Sequence, residues 1–329
     1  MNTRQLTALS WILIAIYAIV TILRRSFAPN LLPAPISTAL VTFVPLIFLF
    51  VHGSLSYHLR DLLVFSAITL VVSNVFENMS VFTGFPFGHY YYTDNLGPKL
   101  FLVPVLIGPA YLGTAYLAWT IARVISGATH SRLPGHLTFT VPLLAAFMMV
   151  SWDLSFDPIF STINHSWIWL DGGSYFGVPF SNFLGWLLTT FVFLQLFALY
   201  VKQDPNVQSI DDQASRIHSL QAILFYGLIA VGYLLNSLTG NMSGTVTDPA
   251  GMIWRVQDIY AVTGLLSIFT MGAFTILGLV KLMEVSPAVQ DLPTRTTSRS
   301  AAPYSLTPQG DAGRAVRSRT SARSSTPIG

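Results

Sequence analysis

The stretch Leu6–Leu23, LTALSWILIAIYAIVTIL, carries no charged side chain and ends abruptly at Arg24-Arg25. A helix needs a run of about this length, roughly 20 residues at 1.5 Å each, to cross a hydrocarbon layer. No small-residue cleavage site follows, so the run reads as a first span rather than a removable leader. Apolar runs of the same kind recur along the chain. They set spans at about 6–23, 36–53, 61–77, 100–124, 136–152, 180–201, 219–238 and 258–282. The expected fold class is all-α: a polytopic helical membrane protein with about eight transmembrane helices.

Composition agrees with that reading. Of 329 residues, 52% are hydrophobic and only 9% charged, with a mean hydropathy of +0.59. Ordinary soluble domains carry about a quarter charged residues. A soluble chain of this make-up would have to bury every helix on all sides, which one domain of this length cannot arrange. There are no cysteines, which removes disulfide frameworks, thiolate zinc sites, iron–sulfur clusters and cysteine nucleophiles. After Lys281 the composition turns to Ser, Thr, Pro, Ala and Arg. The chain therefore divides into a membrane domain, 1–285, and a basic tail, 286–329. The tail has too little apolar surface to offset its ordering entropy and is expected to be disordered.

Eight spans place both termini on one side. That side collects Arg4, Arg60, Arg123, Arg132, Lys202, Arg216, Lys281 and the tail arginines, against Arg24, Arg25, Lys99 and Arg255 on the other. The positive-inside rule then expects cytoplasmic termini on a multi-pass protein of the cell membrane. Loops 78–99, 153–179 and 239–257 share the opposite face and carry the most unusual sequence in the chain.

Three constellations stand out there. ENMSVFTGFPFGHYYYTDNLGPKLFLVP begins at Glu77 and Asn78 and runs through Tyr90–Tyr92. WDLSFDPIFSTINHSWIWLDGGSYFGVPFSNFLGW holds Asp153 and Asp157 four residues apart among Trp152, Phe156 and Phe160, with Trp167, Trp169, Tyr175 and Asn182 following. NSLTGNMSG with RVQDIY supplies Asn236, Asn241, Arg255 and Asp258. Plain roles exist for many of these. Tyr and Trp at a membrane boundary serve as interfacial anchors, Gly and Pro form turns, and a cap or a pairing with Arg255 accounts for one acid. The Asn-x-Ser sequences at 78 and 241 match a glycosylation pattern. The histidines are scattered without metal-ligand spacing on a helix face, so no metal site is expected.

The carboxylates exceed what capping requires. A charge at the centre of a membrane helix costs about 2.5–3.5 kcal/mol on insertion scales. Glu77, Asp153 and Asp258 are expected at the outer ends of spans, where the cost is lower. A carboxyl group in an apolar pocket keeps its proton near neutrality and serves as a strong general acid. Aromatic faces stabilise a nearby cation, each by about 0.5–2 kcal/mol. Acid and aromatic walls together are what protonation of an isolated carbon–carbon double bond requires. The tertiary cation is then captured by water held by a second carboxylate or an asparagine. Such chemistry uses water as co-substrate and no cofactor, and its substrate is apolar and dissolved in the bilayer.

ENMSVFTGFPFGHYYYT, LGPKLFLVPVLIGPAYLGTAYLAW, WDLSFDP and GGSYFGVPFSNFLGW together resemble the integral-membrane carotenoid biosynthesis family over roughly residues 5–285. That family includes carotenoid 1,2-hydratases and bisanhydrobacterioruberin hydratase. The resemblance implies addition of water across the terminal double bond of an acyclic ψ end group, leaving a tertiary alcohol. It also implies a membrane-embedded carotenoid substrate, no redox cofactor, and other carotenoid-pathway enzymes as partners. No nucleic-acid partner is expected. By position, Asp153 or Asp157 is the expected acid, and Trp152, Phe156, Trp167, Trp169 or Tyr175 walls the cation. Glu77, with Asn78 or Asn182, orients and deprotonates the water.

Two other readings stay open. Asp153-x-x-x-Asp157 is similar to one acidic motif of membrane prenyltransferases. Those enzymes hold a diphosphate through magnesium and need a second acidic motif with nearby Lys or Arg; here the facing loops offer only Lys99 and Arg255. The other reading is a carotenoid or lipid carrier, with structural acids and a greasy slot.

Overall fold

The computed structural model describes residues 1–23, 34–128, 133, 135–203, 212–239 and 243–284. The tail, Asn241, Arg24, Arg25 and Arg132 lie outside the described residues. Helices α1 (Thr3–Ile22), α2 (Ala34–Gly53), α3 (Leu59–Thr83), α4 (Ile107–Ile125), α5 (Leu137–Pro158), α6 (Phe180–Gln203) and α7 (Asp212–Thr239) follow in order. The last segment is helical from Val256 to Glu284: α8 (Val256–Leu266), a π turn (Ser267–Met271) and α9 (Gly272–Glu284). Each of the eight apolar runs thus overlaps a helical segment. Six segments are long and apolar enough to cross a membrane: Thr3–Ile22, Leu59–Thr83, Leu137–Ile163, Phe180–Gln203, Ser215–Thr239 and Val256–Glu284.

Of the other two, α2 is apolar over the described stretch Thr38–Gly53, and α4 differs for a physical reason. Helix α4 carries glycine, tyrosine, threonine and Arg123, yet every residue from Tyr111 to Val124 is buried. Its neighbours are α2, α3, α5, α7 and α9. A helix enclosed by other helices does not meet lipid, so its sequence need not be uniformly apolar. It forms the axis of the bundle. At Gly113 it passes so close to α2 that a Cβ would lie 2.5 Å from the Pro45 side chain.

The structure corrects three boundaries. The third span was expected to end at 77, but α3 continues to Thr83, because no backbone signal stops it before Gly84. That glycine adopts the left-handed conformation (φ 79°) and caps the helix through its N–H on Ser80 O. The fourth was expected to start at 100, but Lys99–Leu100 (β2) pairs with Val103–Pro104 (β3), and the helix begins only at Ile107. The fifth was expected to end at 152, but α5 continues through both aspartates to Pro158 and then as a π turn to Ile163. Glu77 and Asp153 therefore stand inside helices, not at their outer ends. Asp258 does sit in the first turn of α8, paired with Arg255 at 2.7 Å.

The loops at the elaborate face fold on one another. Tyr90–Tyr92 (β1) pairs antiparallel with Trp167–Trp169 (β4), with Tyr90 opposite Trp169 and Tyr92 opposite Trp167. Thr245–Thr247 (β5) pairs with Ile253–Arg255 (β6) and packs against the π turn that follows α5.

Candidate active site

Two secondary-structure periods build the site. On α5, positions 153 and 157 are one helical turn apart and share a face. On the β1–β4 ribbon, side chains alternate with period two, so Tyr90, Tyr92, Trp167 and Trp169 are all buried. Tyr91, between the two buried tyrosines, is 47% exposed. The ribbon thus lays four aromatic rings, each with an O–H or N–H, over the end of the bundle. Glu77 rises from α3, Tyr111 from α4, and Asn182 and Trp186 from α6. Together they line one small chamber, of about 30 Å³.

Glu77, Asp153 and Asp157 are 4%, 1% and 1% exposed. Their oxygens are treated very differently. Glu77 Oε2 accepts from the hydroxyls of Tyr92 (2.9 Å) and Tyr90, and its Oε1 accepts from the Tyr111 hydroxyl at 2.8 Å. Asp157 Oδ1 accepts from the indole N–H groups of Trp167 and Trp169, both at 3.1 Å. The Asn182 amide bridges the aspartates, donating at 2.8 Å to Asp153 Oδ2 and at 2.8 Å to Asp157 Oδ2. Asp153 Oδ1 alone among these six oxygens is buried with no hydrogen-bond partner. Burial pushes the Tyr90 and Tyr92 phenols up, and the Glu77 charge beside them pushes the same way. Both therefore remain O–H donors across the ordinary pH range.

The walls are continuous aromatic surface. Trp152 stacks on Phe156 with ring centroids 4.4 Å apart, and Phe156 stacks on Phe160 at 4.1 Å. Tyr111 lies flat against Trp186 at 4.5 Å. Offset and stacked rings at these distances add to the burial they provide, and they present π faces to the interior.

Of the residues expected from sequence, Glu77, Asp153, Asp157, Asn182, Trp152, Phe156, Trp167 and Trp169 line this one chamber. Two do not. The Asn78 amide donates to Asn74 O (2.8 Å) and Asn74 Oδ1 (3.0 Å), and its own oxygen accepts from Leu102 N–H (3.0 Å). One residue further along a helix points about 100° away, so Asn78 clamps the β2–β3 hairpin to α3 instead. Tyr175 gives its hydroxyl to Leu154 O at 2.7 Å and packs edge-on against Phe183, behind the chamber wall. Burial, then Asp153 and Asp157, push its phenol up.

Tyr90, Tyr92, Tyr111 and Trp186 were missed as site residues. The first two were read as interfacial anchors, though their two-residue spacing, matched at 167 and 169, signals a ribbon with one inward face. Tyr111 and Trp186 carried no distinguishing signal. Lys99 donates to Tyr92 O (2.7 Å) and pairs with Asp94 (3.1 Å), and Arg255 stands on the surface with Asp258. Neither is a wall of the chamber. Among the described residues, no group of three or more His, Cys, Asp or Glu is arranged to hold a metal ion.

Apolar helices of membrane-crossing length thus surround a pocket lined by three carboxylates and aromatic rings. The chain belongs to the carotenoid biosynthesis protein family, whose model matches residues 36–247 and so spans every chamber residue named here. It is 33% identical over 126 residues to bisanhydrobacterioruberin hydratase of Haloarcula japonica. That stretch covers 37% of this chain and 39% of the relative. No solved structure matches the chain.

Proposed function

We propose that this protein hydrates the terminal double bond of an acyclic carotenoid end group, with Asp153 as the acid. The observation that carries the reading is the unpartnered Asp153 Oδ1, buried beside two carboxylates whose oxygens are all held by donors. Carboxylates confined together do not all ionise, because like charges in a poorly solvated space repel strongly. Donors stabilise the charged form, so Glu77 and Asp157 hold the charges and Asp153 holds the proton.

In the proposed reaction, Asp153 gives its proton to the less substituted alkene carbon and the π electrons form the new C–H bond. The positive charge falls on the tertiary carbon. The faces of Trp152, Phe156 and Trp186 and the charges on Glu77 and Asp157 stabilise it. Water adds to that carbon, and the proton it then loses returns to the carboxylate set. The net change is alkene plus water to tertiary alcohol, with no electrons transferred and no cofactor consumed.

The family membership and the named relative support the carotenoid class and the hydration. A prenyl diphosphate would need cationic or metal-bridged partners beside the acids, and Lys99 and Arg255 are committed elsewhere. The test is expression in cells that accumulate lycopene, γ-carotene or a longer acyclic carotene, grown in labelled water, with mass spectrometry of the extracted pigments. A product one water heavier, labelled in a tertiary hydroxyl, is expected. Unchanged pigments that co-purify with the protein would instead favour a carrier.

A further inference from the structure

A second pocket, of about 170 Å³, lies among the loops of the elaborate face, beside the β5–β6 hairpin. The π turn after α5 gives it Ser161 and Thr162, β4 gives Trp167 and Trp169, and the hairpin gives Thr247 and Asp248. A water needs roughly 10–15 Å³ of such space, so this pocket has room for several waters and the chamber for about two.

The inner wall of this pocket is also a wall of the carboxylate site. Trp167 and Trp169 line both spaces, and each donates its indole N–H to Asp157 Oδ1 at 3.1 Å. The Ser161 hydroxyl donates to the Asp157 backbone carbonyl at 2.8 Å. Asp157 is thus held from the pocket side at both its backbone and its side chain. The opposite wall is fixed. Asp248 Oδ1 accepts from Met252 N–H and its Oδ2 from the Trp254 indole N–H, both at 2.9 Å. The Trp254 ring packs edge-on against Phe176. Gly177 (φ 84°) meets Asp248 so closely that a Cβ there would lie 3.1 Å from the Asp248 Cβ. The part free to move is the pair of indoles. Two donors share one oxygen, so either ring can leave its bond while the other keeps that oxygen satisfied.

We infer that this pocket stores the water used in the chamber, and that Trp167 and Trp169 are the partition a water passes, one indole leaving Asp157 Oδ1 at a time. The inference rests on the proposed hydration for the fate of that water. An apolar substrate reaches the bundle from lipid, whereas water reaches it from the loops, so the two reactants enter from different sides. The chain has no cysteine, so Thr247→Cys places a single thiol in the pocket wall. Benzyl methanethiosulfonate converts that thiol to a mixed disulfide after folding, and dithiothreitol removes the adduct. Each preparation is compared with itself before and after treatment, and the wild type is the reagent control. Two quantities are read in detergent: hydration in labelled water, and exchange of indole N–H protons with deuterated water, followed by NMR on labelled tryptophan. Trp167→Phe and Trp169→Phe assign the two signals. Trp119, 1% exposed and donating to the Tyr57 hydroxyl at 2.9 Å, is the internal reference.

The adduct is expected to slow exchange at Trp167 and Trp169 about tenfold and to leave Trp119 unchanged. It should lower kcat by about tenfold with KM for the polyene kept, as for a shut gate. Dithiothreitol should restore both. Exchange at the two indoles unchanged by the adduct would overturn the partition. Slowed exchange with hydration unchanged would bring the reacting water from elsewhere and overturn the store. If the wild type adds no water to any carotene while the adduct still slows the two indoles, the hydration reading fails and the water path stands.

Discussion

The two aspartates of α5 look equivalent in sequence, and replacing each by asparagine separates them. Asp153→Asn keeps an oxygen to accept from Asn182, as Oδ2 does now at 2.8 Å. Its new NH2 takes the place of Oδ1, which no donor faces. The fold is expected to survive with little change in stability. What is lost is the proton on which the reaction depends. General acids contribute about 10²–10⁴ in rate, and an unactivated alkene has no other route to the cation, so a loss of about 10³ or more is expected.

Asp157→Asn meets a different environment. Oδ1 faces two indole N–H groups at 3.1 Å and Oδ2 faces the Asn182 amide at 2.8 Å. Wherever the new NH2 is placed, donor meets donor, and turning Asn182 over shifts the mismatch towards Asp153. Each stranded buried group costs about 1–3 kcal/mol. Asp157→Asn should therefore lower the unfolding temperature in detergent clearly, where Asp153→Asn leaves it near wild type. Thermal unfolding and labelled-water hydration, measured on the same preparations, check both halves. An Asp153→Asn protein retaining more than a tenth of the activity, or an Asp157→Asn protein as stable as wild type, would refute the assignment.

Removing Tyr90 and Tyr92 hydroxyls together leaves Glu77 Oε2 without donors and only Tyr111 on the other oxygen. Hydrogen bonds to charged groups are worth about 1.5–3 kcal/mol each, so the double Phe variant should lose both stability and at least tenfold in rate, read by the same two assays. Asn78→Ala, which loosens the β2–β3 hairpin but touches no chamber wall, should keep activity within about threefold and lose roughly 1 kcal/mol of stability per bond removed. Gly173→Ala should prevent accumulation of folded protein, because its Cβ would lie 2.1 Å from the Val178 carbonyl carbon and oxygen, seen as loss of the monodisperse peak on size exclusion.

The acids were legible because the chain uses so few charges. A side chain that the sequence spends rarely carries information, and Glu77, Asp153 and Asp157 were singled out on that ground. The tyrosines that hold Glu77 were not legible for the converse reason. Among abundant aromatics at a membrane boundary, Tyr90 and Tyr92 look like any interfacial anchors, and only the pairing of strands far apart in sequence sets them beside Trp167 and Trp169. Segment ends were misplaced because hydropathy reports where water is tolerated, whereas a helix stops where its backbone is told to. Helix α3 passes its polar Glu77 and stops at Gly84, and α5 passes both aspartates before its π turn. The same reasoning explains Asn78. Adjacency in sequence suggested a shared role with Glu77, but once both lie within a helix, neighbours diverge by about 100°. Residues four apart are then the true neighbours, as Asn74 and Asn78 show by bonding to each other.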